Sequence, residues 1–164
     1  MKTLCYSLLL CLATIASAEA ASVKVASLIP YSEEDTVQGN IKKECDIGQS
    51  IHDGLAAEMP GGIEKVASVN SAGEGRNLLI EVTDAQSSGN AFIGHRKSVA
   101  AKGKLYEGGK LIGSFRVSRV SGGGAFGNYK GSCAVIHGCG RAVGKDIARW
   151  LAAPVDGARL GDLK

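Results

Sequence analysis

Residues 99–117 read VAAKGKLYEGGKLIGSFRV, and this stretch decides the fold. On both sides of Glu107-Gly108-Gly109, small or apolar residues alternate with polar ones, which is the pattern of a strand with one buried face. The two central glycines can adopt the positive φ angles that tight hairpins require. The stretch therefore predicts two antiparallel strands with one face buried and the other open to water.

Further strands are predicted on the amino-terminal side of this hairpin. Leu78, Ile80 and Val82 alternate with more polar neighbours, so residues 77–83 are expected to extend the hairpin into a three-stranded meander. Residues 22–29 alternate in the same way, and residues 63–69 predict a weaker strand. Together these segments predict a mostly antiparallel sheet of about five strands.

Two helices are predicted from apolar residues at helical spacing. The first follows Asp46, which can cap its amino terminus, and the second follows the glycine-rich loop 121–131. The order β-α-β-β-β-β-α predicts an α+β fold in which both helices pack on one face of the sheet. Residues 152–164 lack periodicity and are expected to form a flexible tail. The apolar positions of the two helices are Ile47, Ile51, Leu55 and Met59, then Ile136, Cys139, Val143, Ile147, Trp150 and Leu151.

The first twenty residues have the features of a secretory signal peptide. Lys2 precedes an apolar segment, residues 4–15, which is shorter than the roughly 20 residues that span a bilayer. The small-x-small pattern of residues 16–18, repeated at 18–20, predicts cleavage after residue 18 or 20. We therefore expect a periplasmic mature protein with one α+β domain, residues 19–151, and no transmembrane segment.

Cysteine is the most informative residue type in the predicted mature chain. Cleavage would leave Cys45, Cys133 and Cys139, and an oxidising compartment favours one disulfide among them. Cys133 and Cys139 would stand about 9 Å apart along a helix, beyond the Cα separation that a disulfide allows. Cys45 is thus expected to pair with one of them, preferably Cys133, which lies at the edge of the apolar arc. Three reduced cysteines remain the alternative.

The charge of the chain argues against nucleic acid as a partner. Without Lys2, 18 basic residues face 16 acidic ones, a balance too even for a nucleic-acid or anionic-membrane surface. One basic cluster on the predicted hairpin is a candidate patch for an anionic partner, although lysines on exposed strands also protect edges and keep a protein soluble. The candidate patch comprises His95, Arg96, Lys97, Lys102, Lys104 and Arg116, with Arg119 nearby.

No motif in the sequence assigns a catalytic residue, a cofactor or a metal. Residues 122–127 match the Gly-x-Gly-x-x-Gly pattern but lack the parallel β-α-β unit that binds dinucleotides. Residues 140–145 are one residue short of a phosphate-binding loop. Four residues are of types that bind zinc, but their spacing is wrong for a zinc site. These are Cys45, Cys133, His137 and Cys139.

The element order over residues 77–151 resembles a group of exported bacterial proteins. The resemblance is based on residues 94–105, the hairpin at 107–109, the strand 111–115, the glycine-rich loop and the helix end 144–151. The chain is similar there to small exported proteins of unknown function, and to the α/β domains of envelope assembly proteins such as the curli-secretion channel protein and the amino-terminal domain of TolB. The resemblance implies a Gram-negative periplasmic setting and a non-enzymatic role, and it transfers no functional residue.

The sequence thus leads to two hypotheses about function. The first is a soluble periplasmic protein, not an enzyme, that binds a protein of the cell envelope or supports an envelope assembly. The alternative is a small periplasmic protein that binds a ligand or metal through the basic patch or the region of Cys133 and Cys139. An enzyme ranks third.

Overall fold

The computed structural model describes residues 22–90, 94–121 and 131–163. The chain forms six strands and three helices in these ranges, so the predicted α+β class is confirmed. Helix α1 and strand β6 are additions to the predicted order. The elements are β1 (Val23–Ala26), α1 (Gly39–Glu44), α2 (Ile47–Glu58), β2 (Ile63–Val66), β3 (Arg76–Asn90), β4 (Gly94–Glu107), β5 (Lys110–Ser121), α3 (Ser132–Leu151) and β6 (Ala158–Gly161).

The six strands form one mixed sheet in the order β2-β1-β3-β4-β5-β6. The predicted meander is confirmed, because β4 pairs antiparallel with both β3 and β5. The remaining pairs are parallel: β1 runs alongside β2 and β3, and β6 runs alongside β5. A mostly antiparallel sheet was expected, but only the central strands β3, β4 and β5 are paired in this way. Strands β1 and β2 are parallel because helices connect them, as crossover connections between parallel strands require.

The hairpin between β4 and β5 forms as predicted. Glu107 pairs with Lys110, and the two glycines between them have φ angles of 53° and 83°. Gly103 pairs with Phe115, and Ala101 pairs with Val117. These residues are buried on the face that carries the helices, which we call the inner face. The opposite, outer face of the sheet carries the polar members of the alternating pattern.

Both long helices cover the inner face. The Asp46 side chain accepts a hydrogen bond from the Gln49 amide at 2.9 Å, so it caps helix α2 as predicted. The apolar side chains of α2 and α3 join those of the strands in one core, which confirms the predicted packing of helices on one face. Ile47, Ile51, Leu55, Ile136 and Ile147 are fully buried in it.

The two helices cross at glycines. A Cβ atom on Gly144 would lie well inside 3.0 Å of the Ile51 carbonyl oxygen, and one on Gly54 would overlap the Arg141 carbonyl. Backbone therefore touches backbone at this crossing, and only residues without a side chain fit there. The Gly140–Lys145 stretch, which resembles a phosphate-binding loop in sequence, is part of this helix packing.

We expect Gly144→Ala to lower the free energy of unfolding by about 2–3 kcal/mol, since neither helix backbone can move away without disturbing the core. Gly138→Ala, in the same helix, is the matched control. A Cβ atom there meets nothing within 4 Å, so this variant should gain about 0.5–1 kcal/mol from helix propensity. Urea denaturation of both variants checks the prediction, and effects of the same sign would contradict it.

The prediction of a flexible tail over residues 152–164 is wrong. Strand β6 pairs with β5 in this segment, and Leu160 is buried against the core. Arg119 of β5 donates two hydrogen bonds to Asp146 of α3, at 2.6 and 2.8 Å, and one to Asp162 at 3.1 Å. Such contacts between distant residues hold a strand of four residues, too short to show a period of two in sequence.

Candidate functional site

The outer face of the sheet carries a depression of about 870 Å³. It extends over strands β3 to β6, because alternate residues of these strands point away from the helices. Ser71 of the loop before β3 and Leu163 after β6 lie at its sides. The charged side chains that line it are Glu81, Lys102, Lys104, Arg116 and Arg159.

Four of these charged residues form a single row across the sheet. Glu81 of β3 pairs with Lys102 of β4, which pairs with Arg116 of β5. Arg116 pairs in turn with Arg159 of β6. Neighbouring strands lie about 4.8 Å apart, so the row brings three cations and one carboxylate within about 15 Å. We call these four residues the cross-strand row.

The single carboxylate of the cross-strand row does not neutralise its three cations. Lys102 Nζ lies 3.1 Å from Glu81 Oε2, an exposed ion pair that contributes little to stability. Over the described residues, the side chains of Lys104, Arg116 and Arg159 make no ion pair or hydrogen bond. Arg116 and Arg159 stand opposite each other on paired strands, where like charges repel. An anion placed between them would relieve that repulsion.

The structure brings together only part of the predicted basic patch. Lys102, Lys104 and Arg116 share the outer face, but Lys97 lies on the inner face and is 4 % exposed. Arg96 lies six residues from Lys102 along β4, about 20 Å away.

Two further members of the predicted cluster do not join this site. Arg119 also points to the inner side, where hydrogen bonds to Asp146 raise the pKa of its guanidinium. The His95 side chain lies outside the part of the chain that the structure describes.

Arg159 belongs to the site but was missed in the sequence. It lies in the segment predicted to be a flexible tail, and no periodicity around it indicates a strand. Its position beside Arg116 depends on the pairing of β6 with β5. Only that long-range contact makes it a member of the cross-strand row.

The predicted disulfide between Cys45 and Cys133 is confirmed. It joins the turn before α2 to the first turn of α3, with the two Cα atoms 5.2 Å apart and a sequence separation of 88 residues. Cys139 is a buried free thiol whose pKa is raised by burial. The disulfide occupies two of the four candidate zinc ligands. Within the three described ranges, no group of three or more His, Cys, Asp or Glu residues could hold a metal ion.

His52 of α2 is a buried titratable group away from the outer face. It is 1 % exposed, and its Nε2 donates to the Ala26 carbonyl at 3.0 Å. Its Nδ1 has no hydrogen-bond partner among the described residues. Burial therefore lowers the pKa of His52, with the positive charge of Lys65 acting in the same direction.

We expect His52 to make the protein less stable below about pH 6.5, the ordinary pKa of histidine. There the unfolded chain binds a proton that the folded chain resists, so stability is lost as the pH falls from that value towards the lowered pKa. One proton contributes at most about 1.4 kcal/mol per pH unit. Urea denaturation between pH 7.5 and 5.5 should show a weaker pH dependence for His52→Gln than for the wild type. Parallel curves would contradict the assignment.

No helix in the described ranges is long and apolar enough to cross a membrane. No protein-family model matches the chain, and neither a curated protein nor a solved structure matches it significantly. The resemblance to envelope assembly domains therefore stays a prediction.

Proposed function

We propose that this protein is exported to the periplasm and binds a protein of the cell envelope through the outer face of its sheet, with no chemistry of its own. The main support for the proposal is the charge of the open outer face. The helices leave this face open, and it presents Lys104, Arg116 and Arg159 around a depression without an ionic partner in the described structure. Unpaired cations on an open face favour association with an anionic surface.

The disulfide supports the compartment. A bond between Cys45 and Cys133 persists in oxidising surroundings such as the periplasm, and is rare where thiols are kept reduced. The signal-peptide pattern of residues 1–20, which lie outside the described residues, predicts the same location. The disulfide and the signal-peptide pattern support the periplasmic location independently. The disulfide lies in the predicted mature domain, and the pattern lies in the predicted signal peptide.

The side chains in the depression support binding over catalysis. Glu81 is the only carboxylate among the described residues that line it, and it is paired with Lys102. No histidine or cysteine is among those lining residues. General acid–base catalysis at neutral pH needs a group that gains and loses protons there, and lysine and arginine ordinarily stay charged.

A small anionic ligand is the second candidate. The volume of the depression, about 870 Å³, falls within the range of small-molecule sites. On this reading the protein carries the ligand in the periplasm instead of contacting a protein. Native mass spectrometry of the exported protein separates the candidates, because a small ligand would appear as a defined mass added to the mature chain.

Photocrosslinking in intact cells tests the leading proposal. A photoreactive residue in place of Ser71 should give one discrete adduct, because this side chain is exposed and lines the depression without contributing a charge. The same residue in place of Lys43, exposed on α1, is the matched control and should give none. The adduct should disappear in the Arg116→Gln/Arg159→Gln background. Equal adducts from both positions, or none from position 71, would refute the proposal.

A further inference from the structure

The cross-strand row has the chemistry of a carboxylate site. Arg116 and Arg159 are both exposed, occupy directly paired positions on β5 and β6, and make no ion pair with the described residues. A guanidinium group binds carboxylates through two parallel hydrogen bonds, and two adjacent groups can hold one carboxylate or two. The repulsion between them in the free protein makes such binding more favourable.

The spacing of the cations along the strand matches that of an extended polypeptide. Lys102 and Lys104 are two residues apart on β4 and both line the depression, about 6.7 Å from each other. In an extended chain every second side chain points to the same side with the same repeat. Acidic residues at alternate positions of a bound segment would therefore stay in step with the cations beneath them.

Apolar groups beside the cations favour a polypeptide over a simple anion. Leu79, Tyr106 and Leu163 line the same depression and are half-buried, so each still exposes part of its apolar surface. The aliphatic parts of a bound segment can cover this surface, whereas inorganic phosphate cannot. The depression also spans four strands, about 14 Å, which is much wider than one phosphate group.

We propose that the outer face binds an extended, acidic segment of the envelope partner. One carboxylate is held by Arg116 and Arg159, at the level of Lys102, and the next carboxylate on the same side of the segment is held by Lys104. This inference rests on the proposed function and names the chemistry of the partner. Lys102 contributes less than the other cations, because Glu81 already pairs with it.

Titration with synthetic peptides tests the inference. A twelve-residue peptide with Glu at every second position, labelled for fluorescence anisotropy, should bind the mature protein at least tenfold more tightly than the same peptide with Gln. Its affinity should fall steeply between 50 and 300 mM salt, because screening weakens exposed charge pairs. Arg116→Gln/Arg159→Gln should weaken binding of the Glu peptide at least tenfold.

The matched control is Lys43→Gln/Arg141→Gln, which removes the same charge from exposed helix positions. It should bind the Glu peptide with the affinity of the wild type. Equal binding of the Glu and Gln peptides, or equal losses in the two double variants, would overturn the inference. The inference would also be overturned if inorganic phosphate displaced the peptide at a concentration equal to that of the peptide. That result would indicate a small-anion site.

The peptide titration and the photocrosslinking experiment test different proposals, so either can give a negative result while the other is positive. An adduct from position 71 in cells without binding of the Glu peptide would keep the partner and refute its acidic chemistry. Peptide binding without an adduct would keep the carboxylate site and refute the envelope partner. A thermal midpoint of Arg116→Gln/Arg159→Gln at or above that of the wild type would show that lost binding is not lost folding, since removing the two like charges relieves repulsion.

Discussion

Replacing Cys45 and Cys133 with serine is expected to lower the free energy of unfolding by about 4 kcal/mol, the largest effect of any change considered. The bond closes a loop of 88 residues that includes β2 to β5, so its loss frees most of the unfolded chain. Urea denaturation of the oxidised wild type and the double variant measures the difference. The reduced wild type should unfold at nearly the same urea concentration as the double variant.

Cys139→Ala is the control for this experiment. It removes a buried thiol that donates a long hydrogen bond to the Lys97 carbonyl, 3.7 Å from the sulfur, and it keeps the disulfide. We expect a loss of about 1 kcal/mol from the small cavity. Peptide mapping without reduction should identify Cys45 linked to Cys133 in the control and the wild type. A Cys45–Cys139 bridge, or a double variant as stable as the control, would contradict the assignment.

Phe115→Ala is expected to lower the free energy of unfolding by about 3–4 kcal/mol, because it opens a cavity in the core. Phe115 is 3 % exposed and packs edge to face against Trp150, with 4.9 Å between ring centroids. Lys104→Ala, on the outer face, should stay within about 0.5 kcal/mol of the wild type. Thermal or urea denaturation checks both variants. Equal effects would mean that the hairpin is displaced by one residue, since such a slip exchanges the two faces.

The local parts of the fold could be predicted because their causes are local. The alternation around Glu107-Gly108-Gly109 predicted the hairpin and its buried face, and both are confirmed. The cap at Asp46 predicted the start of α2 for the same reason. Each of these features depends on residues within about one turn or one hairpin of each other.

The parallel pairs at the two edges of the sheet could not be predicted in this way. Strand β1 lies between β2 and β3, and β6 lies beside β5, although no local pattern selects these neighbours. A four-residue strand such as β6 has too few alternating positions to stand out. Its place is decided by Leu160 in the core and by the hydrogen bond that Arg119 of β5 donates to Asp162, the residue after the strand.

The residues of the candidate site also fall into those that could be predicted from local sequence and those that could not. Lys102, Lys104 and Arg116 were predicted to share a face, because alternation within a hairpin is local, and the structure places them together. Lys97 and Arg119 were assigned to the same basic cluster, yet the pleat turns both to the inner side. Arg159 could not be predicted as a member, since only the pairing of β6 brings it there.

By itself, the sequence determined the α+β class, the central hairpin with its two faces, and Cys45 as one partner of the disulfide, with Cys133 only favoured over Cys139 as the other. These follow from periodicity and from the rise of a helix, which act over a few residues. Only the tertiary structure decided the mixed sheet, the glycine crossing of α2 and α3, and the cross-strand row. Each of these depends on pairing or close packing between residues far apart in the chain, and such contacts leave no repeating signal along the sequence.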